Sequence, residues 1–248
     1  MSWFHDGTLI SWDLETTGVD VESDRIVTAS RWIIRPAEGF KKHSGWMVNP
    51  GIEIPEGAAA IHGVTTEKAR AEGQDASRAV EEIAEDLTSW AGDEVADPVF
   101  IAFNAAYDTT LLHRECLRHG HTDLADKVAA LRPFVDPLVL DKQADTFRRG
   151  SRKLTAVAAH YGVELSEEDA HGSAADSLAA ARVAYVLARK FPGFARMSAG
   201  ELHDAQREWR AKQCASLQTY LRKKDRDALV DPSWPLRPLP TTVQEEIR

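Results

Sequence analysis

Asp13 and Glu15 stand two residues apart at the end of an uncharged run, Thr8-Leu-Ile-Ser-Trp12, and Gly18 follows them closely. The run predicts a buried strand. Side chains alternate across a strand, so both carboxylates project from one face while Leu14 turns to the other. Two carboxylates this close repel each other unless a proton or a cation sits between them. A strand leaving the core with solvated acids has the same local sequence, so the pair alone does not decide its chemistry.

Three further polar clusters fall at predicted element ends: Ile61-His-Gly-Val-Thr65, Phe103-Asn-Ala-Ala-Tyr-Asp108 and His171-Gly-Ser-Ala-Ala-Asp176. Each has a plain role by itself. Asp108 could cap the helix after it, Asp176 would meet a helix dipole favourably, and His62 and His171 would be turn or loop histidines. Taken together they change meaning. If Asp13, Glu15, Asp108 and Asp176 converge, they form an all-oxygen site suited to Mg²⁺ or Mn²⁺ rather than zinc. Two such ions about 4 Å apart make the clamp used for in-line phosphodiester cleavage. A histidine near neutrality is an efficient base at cellular pH, and Gly172 relaxes the backbone beside it.

The elements that must position these groups follow from periodicity. Strands are predicted at 8–14, 25–36 and 43–49, joined by turns as an antiparallel meander, then at 98–102 and 132–135. Two short helices broken at Gly63 are expected over 54–70. An amphipathic helix follows at 76–91, with Val80, Ile83, Leu87 and Trp90 at helical spacing. Further helices are expected at 107–119, 136–147, 153–161, 174–191 and 201–224. Pro232, Pro235, Pro238 and Pro240 predict an extended tail. The pattern reads as an α/β fold with a mixed five-stranded sheet flanked by helices. Residues 1–194 are expected to form the main domain, and 195–248 a C-terminal helical extension that packs on it or binds a partner.

The 248 residues carry a formal net charge of −9, which argues against a nonspecific polyanion coat. The excess acid lies in residues 1–194, with 20 Lys/Arg against 31 Asp/Glu; residues 195–248 have 10 against 8. No apolar run approaches the roughly 20 residues of a membrane span, and no signal-peptide pattern opens the chain. Cys116 and Cys214 lack CxxC spacing and are expected as buried thiols in a reducing cytoplasm.

Asp13-Leu-Glu-Thr-Thr-Gly18, Asn104-Ala-Ala-Tyr-Asp108 and the His171–Asp176 spacing resemble, in order, the three motifs of the DEDDh exonucleases. That group includes the proofreading subunit of bacterial DNA polymerase III and the oligoribonucleases. Ile61-His-Gly-Val-Thr65 resembles a segment these enzymes carry between the first two motifs. The resemblance covers about residues 6–192 and implies a ribonuclease H-like fold and 3′→5′ release of mononucleotides from single-stranded ends, DNA favoured over RNA. It implies that Asp13 bridges two divalent ions, that Glu15 and Asp176 complete the first ion's shell, that Asp108 holds the second, and that His171 is the general base. It further implies that the backbone of Thr16 and Thr17 meets the terminal 3′-hydroxyl, that Leu14, His62 and Tyr107 line the terminal nucleotide's pocket, and that Asn104 orients the second motif or touches the strand. Tyr107 replaces a more usual phenylalanine, and Ser173 and Ser177 stand where alanines are common. Arg148, Arg149, Arg152 and Lys153 could track phosphates of a single strand or form a solvated linker. Two alternatives share these residues: an RNA-directed enzyme of the same fold, and a docked subunit of a polymerase or repair assembly whose arm is 195–248. The remaining histidines read as surface or packing residues.

Overall fold

The computed structural model describes residues 2–91, 98–165 and 172–240. Strands β1 (Thr8–Thr16), β2 (Ile26–Arg35) and β3 (Phe40–Asn49) form the predicted meander. Strand β4 (Gln74–Asp75) runs parallel to β3 at one edge, while β5 (Pro98–Ile101) and β6 (Phe134–Val135) continue the sheet in parallel beyond β1. The order is β4-β3-β2-β1-β5-β6. The sheet has six strands where five were expected. Two residues give no periodicity to recognise, and β4 depends on Gly73: a Cβ there would lie 2.5 Å from the Asn49 amide nitrogen.

The helices are α1 (Glu56–His62), α2 (Thr66–Glu72), α3 (Ala76–Thr88), α4 (Ala105–Arg118), α5 (Thr122–Ala129), α6 (Pro137–Ala144), α7 (Leu154–His160), α8 (Ser173–Lys190), α9 (Pro192–Arg196) and α10 (Ala199–Leu221). Helices α5 and α9 were not foreseen. Both are short, and neither has a side-chain cap that would mark its start. Among the described residues no helix is long and apolar enough to cross a membrane.

Alternation along β1 divides the core. Ile10, Trp12 and Leu14 pack with α3, α4 and α5 on one face, while Leu9, Val99 and Ile101 pack with α7 and α8 on the other. Helix α8 presents Ala180, Ala181, Ala184 and Ala188 to that second core, so it lies close over the sheet.

The edge of β6 is closed by side chains rather than by another strand. On α10, the His203 Nδ1 accepts the Phe134 amide at 3.0 Å. Gln206 accepts the Asp136 amide at 2.8 Å and donates to the Phe134 carbonyl at 2.9 Å. These bonds pair backbone groups that an open edge would leave exposed. The extended tail then returns across α4. Trp234 is 6% exposed in the core, the Arg237 amide donates to Thr110 Oγ1, and Arg114 donates to the Pro238 carbonyl.

The expected basic cluster before α7 divides in two. The Arg148 and Arg152 guanidiniums are taken up by Asp141 at 3.0 and 2.6 Å, and the Tyr161 hydroxyl donates to the same fully buried carboxylate. They tie α6 to α7 and are not free to track phosphates. Asp141→Ala should lower unfolding free energy by about 3–5 kcal/mol in urea melts, because it strands two largely buried cations. Arg149→Ala, at an exposed neighbour, should shift it by less than about 0.5 kcal/mol. Equal shifts would remove the structural role from this cluster.

Candidate active site

The pairing of β1 with β2 places Asp13 opposite Ser30 and Glu15 opposite Thr28. On this face the first turn of α8 arrives with Asp176. One carboxylate oxygen from each of Asp13, Glu15 and Asp176 lies within 4.8 Å of the others. A latch of hydroxyls sets that approach. Ser173 Oγ sits 3.1 Å from Thr28 Oγ1 and 2.9 Å from Ser30 Oγ. Ser11 donates to the Ser177 carbonyl at 2.6 Å, and the Trp32 indole donates to the Ala174 carbonyl at 2.8 Å. Ser173, which replaces an alanine in the third motif, thus docks the helix onto β2 with its hydroxyl, whereas the Ser177 hydroxyl bonds back to the Ser173 carbonyl of its own helix.

Asp108 comes from the first turn of α4, on the other side of β1, where its Oδ1 accepts the Leu14 amide at 3.3 Å. Asn104 makes the turn that brings it there, with φ of 67° in the left-handed region that asparagine tolerates better than most residues. Its contribution is through the backbone. The Asn104 and Ala105 amides both donate to Asp136, at 2.9 and 3.0 Å. Asp136 also caps α6 through the Leu138 amide and accepts the Trp234 indole N–H at 3.1 Å. This buried carboxylate, which sequence reasoning missed, organises two helix starts at once. The Asp136-Pro137 pair is a readable helix-start signal. Its fourth donor, 98 residues away, is not.

The turn after β1 is equally determined. Tyr107 Oη lies 2.7 Å from Thr16 Oγ1 and donates to the Gly18 carbonyl at 2.5 Å. A phenylalanine would lack both bonds. The Thr17 hydroxyl donates to Asp24 and accepts the Arg25 amide. The Asp24 carboxylate presses on Gly18, where a Cβ would sit 2.5 Å from its oxygen.

A cleft of about 390 Å³ opens beside Glu15, lined by Thr28, Ser30, Met47, His62 and Ala174 among others. Of the expected substrate contacts, His62 faces this cleft and its Nδ1 accepts the Val64 amide. Tyr107 is half-buried at the turn. The Leu14 side chain, at 5% exposed, belongs to the core. His171 lies outside the described residues.

Charge makes this arrangement costly without a counterion. Burial raises the Asp13 carboxyl well above the usual carboxylate range, reinforced by Asp108, Glu15 and Asp176. Burial, Asp176 and Asp108 push Glu15 up to about 8. Burial likewise pushes Asp108 up to about 8, against the favourable amide bonds it accepts. Burial lowers His62. Converging half-buried carboxylates, two of them raised by their acidic neighbours, fit a hard divalent cation such as Mg²⁺ or Mn²⁺.

Residues 10–184 match the RNase_T exonuclease family. This chain belongs to that family. The exonuclease is 26% identical over 162 residues to the PolC-type DNA polymerase III of Staphylococcus epidermidis and of Staphylococcus aureus, a match covering 65% of this chain and 10% of theirs. It superposes on E. coli Exonuclease I in complex with a dA16 oligonucleotide with a TM-score of 0.62 at 19% identity, covering 76% of this chain and 42% of that one. A second Exonuclease I structure gives a TM-score of 0.64 and covers 86% and 46%. The chain spans about a tenth of the length of the polymerases and under half of Exonuclease I. At these identities the superpositions establish the ribonuclease H-like fold.

The raised carboxyls have a measurable consequence. Between the ordinary glutamic acid value of 4.5 and about 8, folded Glu15 holds a proton that the unfolded chain has lost. The metal-free exonuclease should therefore lose stability as pH rises through that window. Mn²⁺ should raise its melting temperature strongly at pH 8 and weakly at pH 5.5, where protons compete. Thermal denaturation of Asp13→Asn/Glu15→Gln should show a smaller pH loss, because the raised Asp108 carboxyl remains, and no metal shift. A metal shift of unchanged size in that variant would rule out this cluster as the ion site.

Proposed function

We propose that this exonuclease removes nucleoside monophosphates in the 3′→5′ direction from single-stranded DNA, as in proofreading or repair, with two divalent ions, Mg²⁺ or Mn²⁺. The observation that carries the reading is the meeting of Asp13, Glu15 and Asp176 beside an open cleft. Asp13, Glu15, Asp108 and Asp176 would hold the ions. When bound, such ions neutralise charge at the scissile phosphate and activate water.

The chain's own groups do the rest. His171, just before Gly172 at the start of α8, takes the proton of the attacking water. The backbone of Thr16 and Thr17, held by Tyr107 and Asp24, binds the terminal 3′-hydroxyl. His62 lines the terminal nucleotide's pocket, while Tyr107 and Leu14 support its floor from below. Asn104 acts by aiming α4, and with it Asp108.

DNA is favoured because the relatives include DNA polymerases and an exonuclease solved with a deoxyoligonucleotide. We assign residues 195–240 a structural role first, since α10 and Trp234 pack on the sheet and α4. A polymerase or repair partner would meet the surface left over at the end of α10, where Leu217, Tyr220 and Leu221 are exposed.

The test uses matched single-stranded DNA and RNA oligomers labelled at the 5′ end, with Mg²⁺, Mn²⁺ or EDTA. A descending ladder should form faster on DNA and vanish in EDTA. Asp13→Ala should abolish it with the fold intact by circular dichroism, and His171→Ala should slow it by about 10²–10⁴-fold. Internal fragments, or an RNA ladder faster than the DNA one, would overturn the corresponding part of the assignment.

A further inference from the structure

A second cavity, of about 530 Å³, lies on the same sheet face as the carboxylates but farther along the crevice between α8 and the meander. Leu9, Ile34, Tyr185, Lys41, Arg182 and Glu164 are among its lining residues. The strands connect the two spaces. On β2, Thr28 and Ser30 line the first cleft and Ile34 the second; on β3, Gly45 and Met47 line the first and Lys41 the second. Between them, on the same face of the sheet, stands the cross-strand pair Trp32 and His43. The Trp32 indole is fixed by the Ala174 carbonyl, and the exposed His43 ring lies 4.8 Å from it. Lys41 Nζ sits 5.9 Å from the same indole. The six residue steps from Thr28 to Ile34 span about 20 Å at strand rise.

Chemistry along this ledge is unlike the rest of an acidic chain. Lys41 and Arg182 are exposed, and among the described residues neither has an ion-pair partner. Among the described residues, Glu164 is the single acid lining the second cavity. Unpaired cations spaced along a groove, with an aromatic step and an apolar slot, match phosphates alternating with flat bases.

Resting on the exonuclease reading above, we propose that this ledge binds the part of a single-stranded nucleic acid 5′ to the nucleotides held at the carboxylates. Lys41 and Arg182 contact phosphates, His43 on its Trp32 support stacks against a base, and the second cavity takes a further base.

The test compares a dinucleotide, which ends at the carboxylate cleft, with a single-stranded 16-mer, on the full chain. Lys41→Glu/Arg182→Glu should raise KM for the 16-mer at least tenfold and collapse the preference for the 16-mer over the dinucleotide. Two lost phosphate contacts should also flatten the slope of log KM against log salt by about 1.4. His43→Ala should weaken 16-mer binding about tenfold, the lower range of a lost stacking contact. Lys127→Glu/Lys212→Glu, which makes the same charge change at exposed sites elsewhere, should leave 16-mer turnover as in the unaltered chain. If the ladder forms but Lys41→Glu/Arg182→Glu binds and cleaves the 16-mer like the unaltered chain, the ledge is wrong and the exonuclease reading stands. If no oligomer is cleaved, yet anisotropy in EDTA shows the 16-mer bound and released by that variant, the ledge stands and the exonuclease reading falls. Equal losses in both charge-reversed variants would reduce the effect to net charge and overturn the proposal.

Discussion

Like-charge repulsion is the constraint that the rest of this molecule answers. Three carboxylates offer oxygens within 4.8 Å of one another, and a fourth adds its field from the other side of β1. No such cluster assembles unless each acid is carried on an element that is held in place for other reasons. Asp13 and Glu15 are held by the ladder to β2, a strand buried along most of its length. Asp176 is held by a helix whose alanines bring it close to the sheet and whose first turn is locked by the Ser173 hydroxyl and by the Ala174 and Ser177 carbonyls. Asp108 is held by a helix whose first amides are bound to Asp136. A cation among these acids would complete a frame that the backbone has already set.

The same economy of support runs through the turn between β1 and β2. Thr16 and Thr17, whose backbone is proposed to meet the substrate end, have their side chains turned inward to Tyr107 and Asp24. What remains available is their backbone. Arg114 and Arg118 on α4 clasp the far end of this turn at Glu22, so the turn and α4 move as one body. The turn after β1 and the Asp108 carboxylate are thereby linked through a single helix. The ribonuclease H-like sheet shared with Exonuclease I supplies the platform, and these local bonds belong to this chain.

Much of this was legible from residue order. The alternation of Asp13, Leu14 and Glu15, the apolar run at 98–101 and the long helix behind Asp176 have periods that single residues cannot disguise. The first and third motifs carry the acids that β1 and α8 bring together. Other features were invisible for definable reasons. β4 is two residues long and depends on a glycine clearance. The Arg148 cluster looked like a phosphate track because Asp141, its partner, is interior to a helix seven residues earlier. Asp136 carries a local signal of its own, but its meaning lies in Trp234, which no window of sequence could connect to it. His203 and Gln206 likewise resemble ordinary helix residues until β6 is seen to need edge partners.

The Trp234 indole also imposes an order on assembly. The carboxylate that starts α4 gains its last donor from a residue near the end of the described chain, and Thr110 and Arg114 farther along α4 wait for Arg237 and Pro238. Residues through Pro238 must therefore have been made before the bonds that hold the helix bearing Asp108 are complete. The acids of β1 are thus present in the growing chain long before the last bonds of their frame can form.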